Sequence, residues 1–141
     1  MKTKYSALVT LKKNALDKSE TKLQRANTDF TNASNTLEDS YKTLHEVGMP
    51  ESGQIGLLLA SRMLMENQRS VIEHNKEWVN FTKEQLQIAQ KELKKDMVEY
   101  EKYKYLENHE IQKIINELKI AESKELDEIA SITFYRKSIE E

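Results

Sequence analysis

Seven apolar residues in a row fall at every seventh position along the second half of the chain: Leu58, Met65, Ile72, Val79, Leu86, Leu93 and Tyr100. Three residues after each come Ser61, Gln68, Asn75, Thr82, Ala89, Asp96 and Tyr103. A seven-residue repeat held this long keeps one face of a helix turned toward a partner helix, which is the a/d seam of a coiled coil. The first half carries the same signature. Leu16, Leu23, Phe30, Leu37 and Leu44 repeat by seven, each followed three on by Ser19, Ala26, Ala33, Ser40 and Val47. Both seams alternate large with small or polar residues.

The helix breakers divide the two seams. One Pro and three Gly are all the chain has, at Gly48, Pro50, Gly53 and Gly56. Gly ends helices and Pro cannot continue one. The pattern therefore predicts helix 1 over about 4–47, a turn over 48–54 with Gly53 in it, and helix 2 over about 55–137, with Gly56 grouped with the turn glycines. Ser52 is positioned to cap helix 2. The expected architecture is all-α, a single-domain antiparallel two-helix coiled-coil hairpin with unequal helices over residues 1–141.

Pairing the seams outward from the turn sets Leu44 opposite about Ala60, Phe30 near His74 and Leu16 near Ile88. Helix 1, roughly 65 Å long, is then used up at about residue 100 of a helix 2 of roughly 120 Å. The remainder is not a polar spacer. Ile111, Ile114, Ile115, Leu118, Ala121, Leu126, Ile129 and Ile132 recur by threes and fours and make one apolar face. Burying each such side chain is worth roughly 1.5–3 kcal/mol, so residues 104–135 are expected to take a partner, another protein or a second copy. Ile111, Ile114, Ile115, Leu118, Leu126 and Ile129 are the candidate partner-binding residues. A second stripe, Leu57, Leu64, Val71 and Trp78, runs one position before the seam. It either widens the seam or forms a docking face near the turn.

Composition closes off several function classes. Charged residues make up 33% of the chain, yet 22 basic side chains are met by 24 acidic ones, which gives no reason to expect nucleic acid. The exception is local: Lys2, Lys4, Lys12 and Lys13 precede the first acid, Asp17. They form a solvated helix face or meet an acidic partner. With no Cys there is neither disulfide nor thiolate chemistry. The longest apolar run, Leu57-Leu58-Leu59-Ala60, is far too short to span a membrane. His74 and His109 are separated by roughly 50 Å on one helix and cannot share a metal. Neither phosphate-binding glycine motif nor His-Glu metal motif occurs, and a two-helix coil offers no cleft to desolvate paired carboxylates. The expectation is a non-enzymatic protein with no cofactor.

The opening Lys4-Tyr5-Ser6-Ala7-Leu8-Val9-Thr10-Leu11-Lys12, the position of the turn, Ile72-Glu73 after it, and the ending Leu126-Asp127-Glu128-Ile129-Ala130 with Arg136 carry a likeness. The chain resembles the FliJ family of flagellar type III export proteins, whose layout the type III secretion stalk proteins share. The resemblance implies a cytoplasmic, stalk-like coiled coil, peripheral at the inner-membrane export apparatus and similar to the γ subunit stalk of rotary ATP synthases. It implies that the joined N- and C-terminal end enters the hexameric export ATPase, that the turn end meets the membrane export-gate protein, and that export chaperones bind. Membrane association would run through these partners. The family's gate-binding pattern falls on Leu64, Gln68, Val71 and Asn75 of helix 2. Gln68 and Asn75 depart from the family's apolar and His choices. On helix 1 the pattern falls on Tyr41 and Leu44, with Leu37 serving equally as a seam residue. The alternative is a self-associating scaffold, a homo-oligomer paired through the overhang.

Overall fold

The computed structural model describes residues 2–47 and 53–140. It contains two helices, α1 over Ser6–Glu46 and α2 over Ile55–Glu140, and no strand among the described residues. The all-α hairpin with unequal helices is the architecture found. Gly48, Pro50 and the Ser52 cap lie outside the described residues.

Helix α1 starts on a reciprocal cap. The Thr3 hydroxyl accepts from the Tyr5 amide at 3.2 Å, while the Ser6 hydroxyl accepts from the Thr3 amide at 2.8 Å. Two amides with no partner inside the helix are thus satisfied, with Ser6 in the place usually held by Glu or Gln. Helix α2 starts one residue after Gln54, whose carbonyl accepts from Leu57 at 3.0 Å and Leu58 at 3.3 Å. Gly56 therefore lies inside α2, within the range expected for helix 2, and is not a turn glycine.

Two compact units divide the chain, Ala15–Met97 and Met1–Asn14 with Val98–Glu141. In the first, the core is the seam itself. Leu16, Ser19, Ala33 and Ser40 of α1 are buried, as are Ile72, Thr82 and Ala89 of α2. The remaining seam residues from Met65 to Asp96 are half-buried. A core this narrow is what two helices alone can close. The small and polar partners at the seam let the two backbones approach, and no large side chain is fully enclosed among the described residues.

The pairing differs from the one expected. Ser19 donates to the Asp96 carboxylate, and Asn75 donates to the Ser40 hydroxyl. Gln68 Nε2 reaches the Ser40 carbonyl at 2.9 Å, so Ser40 sits between Gln68 and Asn75. This places Leu44 near Gln68 instead of Ala60, a slide of about one heptad. The cause is physical: an a/d seam matches itself at every multiple of seven, and its polar members decide among the matches. Leu58, expected in the seam, is left exposed.

The second unit shows why α1 reaches further than expected. Val9, seven before Leu16, is buried and extends the seam by a heptad. Lys12 Nζ lies 3.6 Å from the Glu99 carboxylate and 5.6 Å from the Tyr103 ring centroid, and Lys13 Nζ lies 5.5 Å from that of Tyr100. Lysines at the start of the chain thus lie against tyrosine faces, an arrangement worth about 0.5–1 kcal/mol each at exposed sites. In the same unit Leu106, Ile111, Ile114 and Ile115 are half-buried, and every described side chain from Asn116 to Ile139 is exposed. The unpartnered stretch begins at Asn116, not at residue 104.

Candidate docking surfaces

Among the described residues, three of the open apolar surfaces lie along α2. The first is the stripe beside the seam of α2. Leu57, Leu64, Val71 and Trp78 are all exposed. They occupy the position just before each large seam residue, where a two-helix coil leaves a flank uncovered. The stripe does not widen the core.

The six residues expected at a gate-binding site do not form one face. Leu64 and Val71 lie on this flank. Tyr41 is exposed on the opposite side of the seam, where Lys76 Nζ stands 5.9 Å from its ring centroid. The Tyr41 phenol, and after it Glu73, hold the Lys76 ammonium above its ordinary pKa. Leu44, Gln68 and Asn75 are half-buried in the seam. Both amides already have partners on Ser40. They present little of themselves at the surface.

The second surface extends the stripe in a way the sequence reading missed. Phe81 and Ile88 lie one helical turn beyond Trp78 and Gln85, on the same flank, and both are exposed. The Trp78 and Phe81 rings stack at 5.4 Å with 23° between planes. Together with Ala26 and Ala89 they line an open groove of about 430 Å3, rimmed by Lys22, Arg25, Asp29 and Glu92. The groove exists because Ala26 and Ala89 are both small. The signal was legible: Phe81 is three residues after Trp78, and Ile88 is seven after Phe81.

The third surface is the end of α2. Leu118, Leu126, Ile129 and Ile132 are exposed, with Phe134, Tyr135 and Ile139 beyond them. Ile111, Ile114 and Ile115, expected among the partner-binding residues, are instead half-buried in the unit that holds Met1–Asn14.

No group of three or more His, Cys, Asp or Glu side chains arranged to hold a metal occurs among the described residues. His45, His74 and His109 are exposed. No described helix is long and apolar enough to cross a membrane. No curated protein and no solved structure matches the chain. A family model described as Flagellar FliJ protein matches residues 1–138, nearly the whole length over which the two seams and the exposed end of α2 are laid out. The chain belongs to the flagellar FliJ protein family, as a flagellar export-associated coiled-coil protein.

Proposed function

We propose that this protein is a non-enzymatic stalk of the flagellar export apparatus, cytoplasmic and peripheral at the inner membrane, that binds the export ATPase hexamer, the membrane export gate and export chaperones. The observation that carries it is that each unit has an exposed apolar stripe of its own, Leu64 with Val71 in one and Leu118 to Ile132 in the other. Exposed apolar patches on an otherwise charged surface mark interaction sites. The unit that would enter the ATPase holds both the start of α1 and the end of α2, in keeping with a joined terminal end. Leu118, Leu126 and Ile129 are the side chains offered there. At the gate end, Leu64 and Val71 make the contact, Gln68, Asn75 and Leu44 set their position, and Tyr41 marks the opposite flank.

Capture of the ATPase and of the gate's cytoplasmic region by the full-length protein tests this. Leu64→Ala/Val71→Ala removes gate capture and leaves ATPase capture. Leu126→Glu/Ile129→Glu does the reverse. All four side chains are exposed, so helicity stays intact in both variants. Loss of neither partner, or of both together, contradicts the two-ended assignment. A stable dimer in sedimentation at micromolar concentration, abolished by Leu126→Glu/Ile129→Glu, would assign the end of α2 to a second copy.

A further inference from the structure

The first turns of α2 are apolar on every side. Ile55, Leu57, Leu59 and Met63 leave 77%, 58%, 55% and 65% of their surfaces exposed. At 3.6 residues per turn Ile55, Leu59 and Met63 share one face, Leu57 and Leu64 lie opposite it, and the exposed Leu58 falls between the two, so apolar side chains surround the axis. No charged side chain occurs from Gln54 to Ser61, and the first charge on the helix is positive, Arg62. α1 covers none of these four, because the slid register ends it near Gln68.

A one-sided stripe is satisfied by a partner helix or a groove. A helix end that is apolar around its whole circumference is satisfied by an apolar medium that closes on all sides. A protein would need a socket fitted to the helix end, whereas a bilayer needs no complementary shape. The eight uncharged residues rise about 12 Å along the axis, close to the depth at which apolar side chains of interfacial helices settle at the headgroup and acyl boundary. Arg62 then stands at the level of the lipid phosphates, with Glu66 one turn and Arg69 two turns above it.

We propose that the start of α2, from Ile55 to Met63, inserts into the interfacial layer of a bilayer containing anionic lipid. It touches the membrane directly and does not cross it. This contact does not depend on the export-gate assignment of Leu64 and Val71.

The test uses the full-length protein and flotation with vesicles of phosphatidylethanolamine and phosphatidylglycerol. The wild-type chain floats, and Leu57→Gln/Leu59→Gln lowers the bound fraction by more than about tenfold. Both side chains are exposed, and circular dichroism verifies that the variant stays helical. In a second arm, Leu58→Trp in a Trp78→Phe background moves the single indole to the tip. Its emission shifts to the blue on adding vesicles, and brominated lipids quench it. A wild-type chain that stays with the unbound fraction overturns the proposal. So does flotation that the double substitution leaves unchanged, or an indole that brominated lipid does not quench. Gate capture lost in Leu57→Gln/Leu59→Gln, with no vesicle binding by the wild type, would assign the tip to a protein socket instead. The gate site at Leu64 and Val71 keeps its own separate test in either case.

Discussion

Asn75 of α2 donates its side-chain amide to the hydroxyl of Ser40 on α1, and that hydroxyl donates in turn to the Thr36 carbonyl at 2.8 Å. With Gln68 on the Ser40 carbonyl, one serine joins two turns of the opposite helix. A slide of one heptad toward the pairing expected from the seams would bring Ala33 between Gln68 and Asn75, where no hydroxyl could take the amide. The polar cluster therefore selects the register, and the register leaves the start of α2 uncovered.

Ser40→Ala leaves the Asn75 amide without its acceptor in a half-buried position. Stability falls by about 1–2 kcal/mol, measured by urea denaturation. Replacing both amides, Gln68→Leu/Asn75→Leu, has the opposite effect on melting temperature, which rises as the seam becomes fully apolar. Register selection weakens at the same time, since polar a/d residues trade stability for alignment.

Val9→Ala costs about 1–2 kcal/mol, from two lost methyl groups and the cavity they leave. Its signature is local. Amide exchange quickens over residues 106–115, where Leu106, Ile111, Ile114 and Ile115 are half-buried in the same unit, while residues 65–96 keep their protection. Uniform loss of protection along α2 would contradict this.

Glu99→Gln removes the ion pair with Lys12, whose partners lie 3.6 Å apart with about a third of each side chain exposed. Solvent screening limits the effect to less than about 1 kcal/mol. The small difference from wild type disappears at high salt. A larger loss would mean that the lysine start of α1 holds the unit together electrostatically and not through Val9.

Gly56 sits inside α2, and a Cβ there meets nothing within 4 Å. Gly56→Ala therefore stabilises the first turn of α2 by about 0.5–1 kcal/mol. Slower amide exchange over residues 57–60 is the readout.

Much of the fold was legible because its information is periodic. Seven apolar hits from Leu58 to Tyr100 and five from Leu16 to Leu44 specify two long helices and the face each turns inward. Periodicity cannot count heptads, so the slide of one repeat between Leu44 and its partner was invisible without the polar contacts of Ser40 and Ser19. The Thr3–Ser6 cap and the buried Val9 were readable in principle, as a Thr three residues before a Ser and as the next member of the Leu16 series. Neither stands out in a seam that is counted from Leu16. The flank stripe through Leu64 and Val71 was found from sequence alone. Its separation from Tyr41 was not, since which flank of α1 faces which flank of α2 depends on the antiparallel pairing.

The register is the central claim, and a chain with no native cysteine allows it to be read directly. Ala26→Cys with Ala89→Cys marks the pairing described, as both residues line one groove. Leu44→Cys with Ala60→Cys marks the pairing one heptad away. Treated with a short bis-maleimide, the first pair should bridge within the monomer in high yield and the second in low yield. Efficient bridging of Leu44→Cys with Ala60→Cys, and little of the other pair, would contradict the account.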